Sequence, residues 1–456
     1  MLTLLLSLAS LSALADGPIE LHPENPHYLR YQGRTTVLVT SGEHYGSVLN
    51  LDFDFIPYLD ALKASGLNMT RLFSGTYREV PGSFNIKENN LAPAPGRYLP
   101  PWIKVGEDKY DLDRFNPAYF DRLKQFLRAA EERGIVVEYV FFCPFYEDVL
   151  WDIDPMNAKH NVNGVGAVPG NEVFTLKHPE LVARHEAFVR KVVAELKDVN
   201  NLYYEVCNEP YFGGVTREWQ DRIIATIIDA EKVSLKKHLI AQNIANDKAK
   251  IESPNPAVSI FNFHYATPPD TVAMNYELKR PLGDDETGFR KTGDLVYRVE
   301  GWEFMLAGGA IYNNLDYSFS TTHADGTAEV SDPTPGGGGP RLRKQLGILK
   351  RFLDGFDLLR MAPDITLIRG GVPDKVTPRV LAEAGKQYAV YLSGGKRVSL
   401  EVDLPAGAYH AEWLDTRSGE VVKVVDLEVK EGSGLIQLNS PDFEEDIALR
   451  IMARGR

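Results

Sequence analysis

From Thr36 to Tyr317 the chain alternates short apolar runs with longer stretches of helical periodicity. The first helical stretch carries Phe55, Tyr58, Leu59 and Leu62 on one stripe and ends at Gly66, where a glycine after a helix end belongs. It passes into the apolar run Leu67–Phe73. Asn116 and Pro117 supply an N-cap and a first-turn proline for a helix with Phe120, Leu123, Leu127 and Ala130 inward, ending at Gly134. Ile135–Phe142 then reads as a strand buried on both faces. Further helices are predicted over Pro179–Leu196, Thr216–Lys236, Leu295–Leu306 and Arg341–Leu353. Further strands are predicted at Tyr28–Tyr31, Thr36–Val39, His238–Ala241, Val258–Phe263 and Ala310–Tyr317, with another short one ending near Gly283–Glu286. Strands alternating with helices build βαβ units and a parallel sheet. About eight strands fall between Thr36 and Tyr317, which fits a (β/α)8 TIM barrel of ~250 residues or more. A doubly wound open sheet is the alternative, but no Gly-rich nucleotide turn follows an early strand.

The pattern changes after about Asp364. Short alternating runs at Arg379–Glu383, Gln387–Leu392, Val398–Leu404, Tyr409–Leu414, Val421–Val429 and Ile447–Ile451 are separated by glycine-bearing turns. They read as a small all-β sandwich. The expected organisation is an export signal at 1–15, an α/β barrel over 16–363 and a β-sandwich domain over 364–456. Between barrel and sandwich, Ser320–Pro340 with Gly336–Gly339 reads as a long loop, of the kind that forms lids or stays disordered.

The N-terminal Met1–Ala15 is apolar and ends in Ala13-Leu14-Ala15, a small-x-small cleavage pattern, although its start lacks Lys or Arg. A secreted or periplasmic location is expected, and no later segment reads as a transmembrane helix. The formal net charge of −13 argues against nucleic-acid and anionic-membrane partners. With only Cys143 and Cys207, no disulfide framework exists, and the two read as small buried thiols, with a single bridge as the alternative.

The run Asn201–Cys207 is a buried strand that Pro210 terminates, so Asn208 and Glu209 are presented at its C-terminal tip. In a (β/α)8 barrel that end carries the chemistry. Glycosidic-bond cleavage with retention needs a second carboxyl about 5–5.5 Å away. The stretch Lys279–Gly288 offers Asp284, Asp285 and Glu286 one strand before the last βα unit, and Glu286 is the expected nucleophile. Glu300, inside a helix before Trp302, is the rival and reads as a structural acid. His264 and Tyr265 end an intervening strand and are placed to hold the nucleophile and a sugar hydroxyl. Arg71 could pair with a carboxylate, and Asn208 could bind a sugar 2-hydroxyl. Trp151, Tyr146, Phe145, Trp102 and Trp302 are candidate sugar platforms, Trp151 foremost with the loop after the third strand. Glu43-His44 after the first strand and Asp316-Tyr317 after the eighth also point to the mouth by position. Asn157 and Asn163 either bind sugar or shape their loop.

These residues resemble the clan of retaining (β/α)8 glycoside hydrolases whose acid/base follows Asn on strand four and whose nucleophile ends strand seven. The matching segments are Gly66–Phe73, Asn208-Glu209-Pro210, His264-Tyr265 and Asp285–Gly288. Within the clan the chain is similar to cellulase-like and apiosidase-like bacterial proteins with a C-terminal β domain labelled as collagen-binding, which Gly407–Glu420 resembles. That label carries no inference of collagen binding here. The resemblance implies that Glu209 acts as acid/base and Glu286 as nucleophile in a double displacement, with no metal or organic cofactor. Its expected partner is an oligo- or polysaccharide. A non-catalytic carbohydrate-binding barrel is the alternative, against which the presence of both glutamates argues. An esterase or peptidase would need a Gly-x-Ser-x-Gly elbow or a His-Glu-x-x-His helix, and the chain has neither.

Overall fold

The computed structural model describes residues 17–454, so the expected export signal lies outside the described residues. Eight strands form the central sheet: Leu38–Gly42, Met69–Phe73, Val136–Phe142, Leu202–Cys207, Ile240–Asn246, Ile260–His264, Leu282–Thr287 and Ile311–Leu315. Neighbours pair in parallel, and the eighth strand returns to the first with Ile311 opposite Leu38. The seam between the first and second strands is stitched by Asn68. Its amide donates to the Val37 carbonyl at 2.9 Å and its side-chain oxygen accepts from the Val39 N–H at 3.0 Å. The expected barrel is therefore formed.

The helices start where their caps predict. Asp54 accepts from the Ile56 N–H to open Phe55–Ala64, and Asn116 accepts from the Ala118 N–H to open Pro117–Glu131. Gly66 leaves the first of these helices at φ 78°, a conformation that suits glycine. The helix expected to reach Lys236 stops at Glu231. Beyond it Val233 and Leu235 are fully exposed, so no apolar face remains to hold further turns against the sheet. The strand expected at Thr36–Val39 is split. Arg34–Thr36 closes a hairpin with Leu29–Tyr31, and the barrel strand begins only at Leu38. The excursion after the second strand holds an unforeseen hairpin, Trp102–Gly106 with Lys109–Phe115.

The loop expected as lid or disorder is fastened to the barrel. Asp316 accepts from the Gly339 N–H at 3.0 Å and from Arg343 at 2.7 Å, and the Tyr317 N–H donates to the Gly337 carbonyl at 3.1 Å.

The C-terminal region is two antiparallel sheets. One runs Ala362–Pro363, Thr377–Glu383, Gln387–Ser393, Asp446–Ala453, Gly407–Asp415, Val421–Val429; the other joins Ile368–Gly370, Ser399–Val402 and Ile436–Asn439. Leu392, Leu400, Trp413 and Leu449 fill the space between them. The sandwich docks on the barrel helix Asp294–Leu306. Trp302 stacks on Tyr391 at 5.2 Å, and Arg298 donates to Asp446 at 2.6 Å. Trp302 is thus interdomain core and not a sugar platform. No helix among the described residues is long and apolar enough to cross a membrane.

Candidate active site

The C-terminal strand tips bring Glu209 and Glu286 together. An oxygen of each, with a nitrogen of His264, lies within 4.8 Å of the others. Register irregularities in the sixth and seventh strands set His264 opposite Glu286. Such bulges re-aim side chains at a sheet end. Glu209 itself sits at φ 36° and Tyr265 at φ 54°, backbone conformations that are costly for non-glycine residues and collect at functional sites.

Three donors converge on Glu286. Tyr265 donates at 2.6 Å, Tyr45 at 3.1 Å and the Arg71 guanidinium at 3.1 Å. These are the surroundings of a carboxylate that accepts, as a nucleophile must. Glu209 is held differently. The Tyr146 hydroxyl donates to it at 2.5 Å and His264 Nδ1 lies 3.2 Å away. Asn208 donates to the same Tyr146 oxygen at 2.8 Å, which orients the hydroxyl. Burial pushes the Glu209 carboxyl up, but the contacts from His264, Tyr146 and Asn246 outweigh it and leave it below the ordinary carboxylate range.

Beneath this pair lies a buried charge cluster. Arg71, fully enclosed, faces Glu205 as well as Asp285 at 3.2 Å, Glu138 at 3.6 Å and Glu286 at 3.1 Å. Asn262 bridges Glu138 and Glu205 from the far side, donating at 2.6 and 2.7 Å. One cation serves four carboxyls, so they cannot all ionise cheaply in a dry interior. Burial accordingly pushes Glu138 and Asp285 well above the carboxylate range. Arg71 is the salt-bridging residue expected, but with a larger set of partners.

Glu209, His264 and Glu286 have a spacing that a cation could use. Their oxygens already accept from Tyr45, Tyr146, Tyr265 and Arg71, which is a donor set for carboxylates. The second acidic group, Glu138, Glu205 and Asp285, closes around the Arg71 guanidinium, which stands in the place of a cation.

The other expected residues divide. Asn208, Tyr265 and His44 line the pocket. His264 lies buried behind it, on Glu209. His44 approaches Glu79 at 3.4 Å; burial lowers its pKa, but Glu79 raises it more, and the net shift is upward. Tyr317 lies behind His44, ring centroids 5.8 Å apart, with its hydroxyl buried and unpartnered. Trp151 is not in the pocket wall. It packs beneath its loop on Phe145 and donates to the Val168 carbonyl at 2.8 Å. Trp102 is buried against Phe188. Asp316 faces Ser41, Ser318 and Arg343, not the mouth. Asn157 and Asn163 hold loop backbone. Glu300, inside its helix and away from the pocket, pairs with Arg290 of the preceding loop, and burial pushes its carboxyl up to about 7. Cys143 and Cys207 are free and buried.

Sequence reasoning missed Tyr45, Glu79, Phe84 and Phe289, all of which line the pocket. Tyr45 adjoins His44 and could have been taken with it. Glu79, Phe84 and Phe289 stand in irregular segments without periodicity.

No protein-family model matches the chain, and no curated protein matches it. Solved structures do. A provisionally assigned glycoside hydrolase from Bacteroides vulgatus ATCC 8482 superposes with TM-score 0.70 at 14% identity, over 96% of this chain and 83% of its own. A family 5 glycoside hydrolase from the same organism gives TM-score 0.64 at 15% identity, over 96% and 94%. An endo-1,4-beta-mannanase from Rhizomucor miehei gives 0.51 at 11% identity, over 75% and 100%. At these identities the likeness is one of fold.

Proposed function

We propose that this protein is an exported glycoside hydrolase that cleaves an oligo- or polysaccharide by double displacement with retention. The observation that carries the reading is the Glu209–Glu286 pair, with oxygens within 4.8 Å at the barrel mouth. That closeness suits the ~5–5.5 Å separation of a retaining pair better than the ~6.5–9.5 Å of an inverting one. The glycoside hydrolases among the structures of like fold support the same class. The apolar Met1–Ala15 supports export.

In the first step a Glu286 oxygen bonds to the anomeric carbon. The glycosidic bond breaks, and its oxygen takes a proton from Glu209. In the second step Glu209, now a carboxylate, takes a proton from water. The water oxygen bonds to the anomeric carbon as the ester to Glu286 breaks. Tyr265, Tyr45 and Arg71 hold Glu286 in line for attack and receive its charge again on release. Proton NMR of the first-formed product, on whichever oligosaccharide of a broad panel is cleaved, tests the stereochemistry. The substrate's anomeric configuration is expected; the opposite anomer would refute the double displacement.

Glu209 must be protonated to act, and its surroundings favour the ionised form. Because kcat/KM reports the free enzyme, its descending limb is expected on the acidic side of neutrality. Tyr146→Phe removes a donor to the ionised carboxyl, which raises its pKa. The acid then keeps its proton to higher pH, so the descending limb is expected to move upward. Superimposable limbs for wild type and variant would show that Tyr146 does not set this acidity.

A further inference from the structure

We propose that the site holds a single terminal neutral sugar, and that the protein acts from the non-reducing end of a glycan whose remainder lies in a groove beside Glu209. The inference rests on the glycosidase reading above and specifies its substrate.

The pocket between the two glutamates has a volume of about 50 Å³. At ~10–15 Å³ of such space per water, it holds about three to five waters, which leaves room for no more than one sugar ring. It is roofed. Phe84, from the loop after the second strand, meets Phe289, from the loop after the seventh, edge to face at 6.4 Å. Phe84 also touches Tyr146 at 5.6 Å, and Phe289 touches Tyr265 at 6.1 Å. The aromatic bridge therefore crosses the mouth over both glutamates' partners, where a through-running chain would have to lie.

The end wall is polar. Glu79 accepts from the Tyr77 hydroxyl at 3.1 Å and from the Asn89 amide, and lies 3.4 Å from His44 Nε2. The other His44 nitrogen is buried with no partner among the described residues. The Glu79 carboxylate is an acceptor suited to ring hydroxyls. With Arg71 held on Glu286 and His44 on Glu79, the wall offers a substrate carboxylate no cation that is not already paired, so a uronic acid is disfavoured and a neutral ring is admitted.

Tyr146, shared with the pocket, also lines a neighbouring groove of about 480 Å³ with Phe212, Phe145, Asp148 and Asn171. That is the size of an ordinary small-molecule site. Phe212 is 44% exposed and its ring lies 5.9 Å from that of Tyr146, whose hydroxyl is on Glu209. The leaving sugar takes its proton from Glu209, so it departs on this side, and Phe212 offers its C–H face an apolar surface.

The test uses hexasaccharides labelled at the reducing end, from gluco, manno, galacto and xylo series, together with the matching glycosyl fluorides. Wild type is expected to shorten a labelled chain one residue at a time and to release monosaccharide from the first turnovers. Phe212→Ala is expected to raise KM for the hexasaccharide about tenfold more than for the fluoride, which has no second ring to stack. The double variant Phe84→Ala/Phe289→Ala is expected to yield internal fragments. Internal fragments from wild type in the first turnovers, or equal KM changes on both substrates in Phe212→Ala, would overturn the inference and leave the glycosidase reading standing. Failure of wild type to hydrolyse any hexasaccharide or fluoride would reject that reading, and this inference with it.

Discussion

Glu286→Ala is expected to lower hydrolysis by about three orders of magnitude or more, and azide is expected to restore turnover as a glycosyl azide of inverted configuration. The variant keeps the acid but has no group to bond the anomeric carbon. Removing the side chain opens space on that face, and azide enters it and makes the single displacement. Glu209→Ala should behave in the opposite sense. Its loss should be about 10²–10⁴-fold on substrates whose leaving group needs a proton. On a glycosyl fluoride the first step should lose little, because fluoride departs unassisted, while turnover should stay slow because the second step has lost the base that activates water. Azide should there attack the glycosyl-enzyme and give the retained product. Product stereochemistry, read by NMR, assigns each role separately. Full activity in Glu286→Ala would remove it as nucleophile and with it the mechanism proposed.

Arg71→Met is expected to destabilise the fold by about 3–5 kcal/mol, the usual cost of leaving buried charge without its partner. The change strips the cation from Glu138, Glu205, Asp285 and Glu286 together. Those carboxyls can avoid the cost only by taking up protons. Glu138 and Asp285 are already held above the carboxylate range with Arg71 present, and higher still without it. A carboxyl raised in the folded state keeps a proton that the unfolded chain releases. Rising pH therefore favours unfolding, from the ordinary carboxylate pKa near ~4 until the folded group itself ionises. The stability gap between Arg71→Met and wild type should widen from pH 5 to pH 8. Thermal unfolding followed by circular dichroism at both values checks it. Equal stability at pH 8 would mean that the cluster does not depend on its guanidinium. Arg71→Lys should rescue little, since a single ammonium cannot reach partners placed around a planar fork.

Much of the architecture is local and was legible. Asn116-Pro117, Asp54 and Gly66 mark helix ends through hydrogen bonds made within a few residues. The helix Pro179–Leu196 follows from its apolar spacing alone. Asn208-Glu209-Pro210 shows its position because an apolar strand that meets proline must end there. Where periodicity was absent the reading failed. Trp151 followed a strand tip and was taken for a platform, yet its indole turned under the loop to reach the Val168 carbonyl. Asp316 followed the eighth strand and folded away to fasten Gly339 and Arg343.

The alternation of strand and helix, the closing β domain and the two carboxylates at strand tips thus lie in the order of residues, because backbone periodicity and capping act over a few positions. The site's working surroundings do not. Arg71 and Glu286 are 215 residues apart, and Tyr146 and Glu209 are 63 apart. Their meeting depends on barrel closure, on the register of the sixth and seventh strands and on loops that pack against one another. Glu138 and Glu205 could be seen as acids inside apolar strands, but their common cation could not. The roof of Phe84 and Phe289 exists only when two distant loops meet. Burial and long-range contact set both the acidity of Glu209 and the size of the pocket, and neither is a property of any short stretch of chain.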